Sequence, residues 1–174
     1  MNTVEEIANV IKHIKSAVIF THLRPDGDTL GSALALSRAL SLLKIANQTV
    51  NEGAIPEEFF FLEAAKRILR APTLDAEAYI CVDSSDETRL GQLQSVYFAG
   101  AKKKITVNID HHVSNTRYAK YNFVRHRASN CENVADVIKA MGVPFDKEIA
   151  DCLMTGAVTD SGAFSHDDVS GDTF

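Results

Sequence analysis

The sequence predicts an α/β domain: a mainly parallel sheet with helices on both faces. Short apolar runs alternate with amphipathic stretches of helical period, which is the pattern of βα units. Three of those runs end on ionisable residues. Ala17-Val18-Ile19-Phe20 leads into Thr21-His22-Leu23-Arg24-Pro25-Asp26-Gly27-Asp28. Ala78-Tyr79-Ile80-Cys81-Val82 leads into Asp83, and Ile105-Thr106-Val107-Asn108-Ile109 into Asp110-His111-His112. In an open parallel sheet, the C-terminal edge of the strands is where ligands bind.

The elements follow in order. Val4, Ile7, Ala8, Ile11 and Ile14 recur at helical spacing and predict an amphipathic helix over residues 3–15. The first strand ends near His22. After the turn containing Pro25 and Gly27, residues 30–44 read as a helix that buries Leu34, Leu36, Leu40 and Leu43, with Thr29 or Asp28 as its cap. A second strand is expected around residues 48–50 and a helix over 57–69, stopping before Pro72. The third strand is 79–82, and a short helix over 92–98 follows Gly91. The fourth strand ends at Asp110, and residues 121–124 suit a fifth. Helices over 132–141 and 147–158 are separated by Gly142 and Pro144.

A chain of 174 residues suffices for one domain with a real core. The domain is expected to span residues 1–174. Net charge is −5 and the pI about 5.6, which argues against a broad cationic nucleic-acid surface. A small anionic substrate stays compatible, because bound divalent ions reverse the local sign. Cys81, Cys131 and Cys152 have no short spacing, so zinc-ribbon and thioredoxin-like readings fail and free thiols in a reducing compartment are expected. No stretch approaches the ~20 apolar residues of a membrane span. Glu5 and Glu6 precede the apolar N-terminal residues, unlike a secretory signal. A cytoplasmic protein is expected.

The chemistry concentrates in four pieces. His22, Asp26 and Asp28 surround a Pro-Asp-Gly-Asp turn, which is also compatible with an ordinary turn and helix cap. Asp83 ends a strand, while Asp86 and Glu87 suit the next cap better. Asp110-His111-His112 directly after an apolar strand is unsuited to packing. Asp160 stands in Thr159-Asp160-Ser161-Gly162 after the last helix. Together His22, Asp26, Asp28, Asp83, His111 and Asp160 form a candidate metal set. Clustered carboxylates need a cation to hold them together. Two imidazoles and four carboxylates without thiolate suit Mn²⁺, with Mg²⁺ or Co²⁺ as substitutes. Six ligands exceed what one open catalytic ion needs, so two ions about 3.5–4 Å apart sharing a carboxylate are expected. The pattern points to a metal-dependent hydrolase.

The four motifs, in this order and over nearly the whole chain, resemble the N-terminal catalytic domain of the DHH phosphoesterases. They are Thr21 to Asp28, Asp83 with Arg89-Leu90-Gly91, Asp110-His111-His112-Val113-Ser114-Asn115, and Thr159-Asp160-Ser161-Gly162-Ala163-Phe164. Asp-His-His-Val-Ser-Asn and Ala128-Ser129-Asn130-Cys131-Glu132 resemble the nanoRNase branch, which degrades short oligoribonucleotides and dephosphorylates 3′-phosphoadenosine 5′-phosphate. The resemblance implies a Rossmann-like fold and specific roles. His22 and Asp26 would hold one ion, Asp28, His111 and Asp160 the other, and Asp83 would bridge them. His112 would face the scissile phosphate, stabilising its charge or protonating the leaving oxygen. Asp110 would orient a ligand, and Arg89 would contact phosphate. The partner would be short single-stranded RNA or a nucleotide phosphate, with no membrane; a homodimer is compatible with the sequence. Members of this branch usually continue into a smaller substrate-binding domain with a Gly-Gly-Gly-His loop, a motif this chain lacks.

The rival readings are another DHH branch (a single-strand exonuclease, cyclic-dinucleotide phosphodiesterase or pyrophosphatase) or a metal-free scaffold. Other polar features have plainer expectations. Lys102-Lys103-Lys104 reads as a solvated run. Phe59-Phe60-Phe61 is expected to bury at least two rings. Arg125, His126 and Arg127 follow residues 121–124 and are a secondary candidate for phosphate contact. His13 is expected on a helix surface, and His166, Asp167 and Asp168 in a loop.

Overall fold

The computed structural model describes residues 1–173; Phe174, the end of the expected domain, lies outside the described residues. Five parallel strands form one sheet: β1 (Ser16–Phe20), β2 (Ala46–Val50), β3 (Ala78–Val82), β4 (Ile105–Asp110) and β5 (Tyr121–Val124), in the order β2-β1-β3-β4-β5. The chain leaves β1 for one side of the sheet and returns to the other side at β3. The connections therefore diverge between β1 and β3, which opens a crevice at their C-terminal ends. Thr21-His22 and Asp83 stand there.

Alternation along the strands assigns their two faces. Ala17, Ile19, Ile80, Val82, Val107 and Ile109 pack under α1 (Val4–Lys12), α2 (Gly27–Leu42), α4 (Asn130–Ala140) and α5 (Lys147–Asp160). Val18, Phe20, Tyr79 and Cys81 pack under α3 (Leu93–Ala101) with Leu90, Leu93 and Tyr97. Helices therefore cover both faces. By the same period, His111 points toward the α2/α5 face and Asp110 and His112 toward the other.

Local sequence explains the helix ends. Thr3 and Glu6 form a capping box at α1, and Ser129 with Glu132 one at α4. The capping expectation for α2 needs correction: the cap is Asp26, whose side chain accepts from the amides of Asp28 and Thr29, and the helix starts at Gly27 rather than 30. Pro25 sets the extended entry that frees Asp26 for this role. Helix α2 is buried along most of its length, and α5 crosses it closely. A Cβ on Gly31 would fall against the Cys152 carbonyl, and one on Gly156 against Cys131 Sγ and Asp28 Oδ1.

The expected helix over 57–69 does not form. Two short 3-10 turns, Glu57–Phe59 and Glu63–Arg67, replace it. Pro56 offers no side-chain cap, and three successive aromatic residues are weak helix formers. Leu62 turns extended, which lets it and Ala65 reach the core. None of Phe59, Phe60 and Phe61 is fully buried, and Phe61 is 65% exposed, contrary to expectation. Helix α5 runs to Asp160 instead of stopping at 158, so Asp160 is its last residue. All three cysteines are free and buried. Among the described residues, no helix is long and apolar enough to cross a membrane.

Candidate metal centre

Three strand ends and two helix ends bring the six expected ligands together. Asn51, just past β2, pins the first loop by donating to Thr21 Oγ1 (2.7 Å) and to the His22 carbonyl (2.6 Å). Asp26 spends Oδ1 on the α2 amides, leaving Oδ2 3.4 Å from His22 Nε2. Asp28 lies in the first turn of α2. It accepts from the first amides of α4, Asn130 N–H to Oδ2 (2.6 Å) and Cys131 N–H to Oδ1 (2.9 Å). Two helix N-termini thus face the two carboxylates, the end of the helix dipole that favours negative charge.

Asp83 occupies the middle. Its Oδ2 lies 3.3 Å from His22 Nε2, and its Oδ1 lies 3.4 Å from His111 Nε2. Its backbone is left-handed, with φ 52°, a conformation Asp tolerates better than most residues. His111 donates through Nδ1 to the Arg127 carbonyl (2.9 Å), which aims Nε2 inward. That Nε2 stands 3.6 Å from Asp160 Oδ2 and 3.8 Å from Asp28 Oδ2. His22, Asp26 and Asp83 form one group of converging donor atoms, and Asp28, His111 and Asp160 another. Within each group the atoms lie within 4.8 Å of one another.

The electrostatics follow from crowding. Burial alone would lower both imidazole pKa values, but facing carboxylates outweigh it. Asp26 and Asp83 push His22 up to about 9. Asp83 and Asp28 push His111 up to about 10. Burial works to raise Asp83 too, yet the two imidazoles hold it down at about 2. Asp28 is raised well above the ordinary carboxylate range by burial and by the charges of Asp83 and Asp160. Burial also raises Asp160. His22 Nε2 and Asp83 Oδ1 are buried without a hydrogen-bond partner. Orphaned buried atoms of this kind need an explanation. A divalent cation suits this nitrogen and oxygen donor set, and it would satisfy both atoms.

A second constellation adjoins the first. Asp110 is fully buried at the end of β4. His112 donates through Nδ1 to Asp110 Oδ1 (2.8 Å), and Asn115 Nδ2 donates to Asp110 Oδ2 (2.6 Å) and Asn108 Oδ1 (2.7 Å). Arg89 donates to His112 Nε2 (3.0 Å). A guanidinium only donates, so Nε2 accepts and the imidazole proton sits toward Asp110. Asn115, Asn51 and the amides of Asn130 and Cys131 were not assigned roles from sequence alone. Position just past a strand end was the available signal for Asn51. For Asn130 and Cys131 it was the capping box that starts α4. Arg125 and Arg127 pair with Asp136 and lie within salt-bridge reach of the structure rather than standing free. Lys102 and Lys103 are exposed, as is His13.

A parallel α/β sheet that gathers acids and imidazoles at its topological switch point defines a class of ligand-binding domain. The chain belongs to the DHH family: residues 16–157 match the model described as DHH family, N-terminal domain. It is 30% identical over 165 residues to the "Bifunctional oligoribonuclease and PAP phosphatase NrnA" of Thermus thermophilus, covering 91% of this chain and 47% of that protein. It is 25% identical over 158 residues to the "Probable manganese-dependent inorganic pyrophosphatase" of Bacillus pumilus, covering 84% of this chain and 48% of that protein. An exopolyphosphatase-related protein from Bacteroides fragilis shares the fold, with a TM-score of 0.88 at 23% identity. That match covers 97% of this chain and 53% of the other. The chain spans about half the length of these relatives.

Proposed function

We propose that the domain is the catalytic domain of a metal-dependent phosphoesterase, hydrolysing short oligoribonucleotides, 3′-phosphoadenosine 5′-phosphate, or both. One observation carries the reading: the two oxygens of Asp83 face two separate groups of donor atoms. His22, Asp26 and Asp83 would hold one divalent ion; Asp28, His111, Asp160 and the other oxygen of Asp83 would hold a second. Mn²⁺ is the proposed metal, supported by the donor set and by the name of the pyrophosphatase relative. When bound, such a pair supplies an activated water nucleophile and neutralises charge on the phosphoryl group.

The chain's own residues do the rest. Asp110 fixes the His112 tautomer, and Asn115 holds Asp110. His112 Nε2 in turn accepts from Arg89 and orients it, so that the remaining guanidinium N–H groups are free to meet a phosphate. Proton donation by His112 to a leaving oxygen would first require its Nε2 to exchange Arg89 for a proton. The substrate choice is supported by the printed name of the Thermus thermophilus relative.

The test is hydrolysis of a three-residue RNA and of 3′-phosphoadenosine 5′-phosphate by the Mn²⁺-loaded protein, beside Asp83→Asn. The proposal expects turnover in the wild type and a loss of at least about 100-fold in the variant, since one bridging group serves both ions. Absence of cleavage of both substrates would overturn it.

A further inference from the structure

Next to the acid and imidazole groups, a cavity of about 390 Å³ is lined by His22, Leu23, Arg24, Asp26, Thr88 and Arg89. Two guanidinium groups therefore border one hollow. Arg24 is exposed and makes no hydrogen bond or ion pair with any described residue. Arg89 has a single side-chain partner among the described residues, His112 Nε2 at 3.0 Å. Of its five N–H donors, four are left to point elsewhere. The one carboxylate in the lining is already engaged. Asp26 accepts two α2 amides and faces His22, so it does not neutralise either arginine.

The backbone holds the two arginines in register. Leu23 N–H donates to the Arg89 carbonyl (2.8 Å), tying the segment before Arg24 to the turn that carries Arg89. Gly53 packs so closely on the Leu23 carbonyl that a Cβ there would collide with it. Pro25 limits the backbone on the other side of Arg24. Arginine is the side chain that grips phosphate through two parallel bonds, and both guanidinium groups here keep N–H donors available for one.

We infer that Arg24 and Arg89 form an anion subsite for a second phosphate of the substrate, adjoining the phosphate that is cleaved. The inference rests on the phosphoesterase reading for the position of the cleaved group at His112. It deepens that reading by requiring a substrate with two neighbouring phosphates. The second phosphate is the other terminal phosphate of a nucleoside bisphosphate or the next phosphodiester of a short RNA. Both present the same anionic oxygens.

Binding can be followed without metal or turnover. In chelator, inorganic phosphate is titrated into ¹⁵N-labelled protein while the Nε–H signals of Arg24 and Arg89 are monitored. Both signals are expected to shift and saturate, with affinity about tenfold or more weaker in Arg24→Ala, as for loss of a charge-assisted contact. Arg24 is exposed, so the variant's remaining spectrum reports directly that it is folded. Adenosine 3′,5′-bisphosphate is then compared with adenosine 3′-monophosphate, and ApApA with ApA. A preference for the bisphosphate that collapses in Arg24→Ala names the terminal phosphate as the occupant. A preference confined to ApApA names the diester. No saturable shift, or shifts indifferent to Arg24→Ala, would overturn the subsite. Phosphate binding here by a protein that hydrolyses nothing would instead refute the hydrolase reading and leave the subsite standing.

Discussion

Loading the site with Mn²⁺ at neutral pH should expel protons, and the number follows from the structure. A metal-bound imidazole nitrogen must be deprotonated. His22 is held at about 9 and His111 at about 10 by the carboxylates facing them. At pH 7 the metal-free protein then carries His22 protonated about 100 to 1 and His111 about 1000 to 1. Displacing both weakens two-ion loading by about 10⁵ relative to the deprotonated site. Each pH unit from 7 to 8 removes about a factor of ten per proton, so overall affinity should rise about 100-fold. The trend flattens above the two pKa values. Calorimetric titration with Mn²⁺ in two buffers of different ionisation enthalpy counts the protons directly. At least two per loaded protein are expected. Release of less than one proton, or an affinity flat between pH 7 and 8, would refute the reasoning. The same pairs set the stability of the metal-free protein. Both imidazoles sit above their ordinary 6.5, so their contribution is complete below that pH and is lost as pH rises through about 9 and 10. Asp83 sits below its ordinary 3.8, so its share is present above that pH and is lost as pH falls through about 2.

Three further outcomes are expected. Asn115→Ala leaves Asp110 Oδ2 and Asn108 Oδ1 short of a donor, costing about 1–3 kcal/mol. Thermal melting should show a drop of about 2–4 °C for each kcal/mol in a chain of this size. An unchanged Tm would mean that water replaces the amide freely. Gly31→Ala drives a methyl into the Cys152 carbonyl and forces α2 and α5 apart. Urea unfolding should report a loss of about 1–3 kcal/mol. Mn²⁺ affinity should fall with it, because Asp28 and Asp160 ride on those helices; unaltered affinity would show that the crossing does not set the site. Burial pushes the Cys81 and Cys152 thiols up to about 12 and raises Cys131 as well. Ellman's reagent should therefore label none of the three within minutes in the native protein at pH 8 and all three in urea. Rapid native labelling would contradict the packing around them.

The centre of the sheet was legible because β1, β3 and β4 are mainly apolar runs, and the ionisable residues behind them mark its C-terminal edge; β2 is more polar, with only Thr49 and Val50 buried. The candidate ligands were legible for the same reason: residues such as Asp83 and His111 have no packing role where they stand. Position in space was less legible. Asp28 and Cys131 are distant in sequence, and only the docking of α4 shows that its amides hold the Asp28 carboxylate. The segment after Pro56 misled the helical reading because spacing of apolar residues does not register the extended turn at Leu62. Arg24 looked like one residue of a motif. Its bearing on a cavity depends on Arg89, which a separate turn delivers.

The burial of α2 also has a consequence in time. This helix is enclosed on nearly all sides, and its chief covering partners are α5 and α4. The chain must extend 118 residues past Leu42 before α5 is complete at Asp160. At about 5–20 residues per second of synthesis, that interval is about 6–24 s. During it, a segment rich in alanine and leucine exists without its cover, and the carboxylate of Asp28 waits on amides not yet made. The newborn chain is thus most prone to aggregation in its first third, long after that third has left the ribosome's active centre.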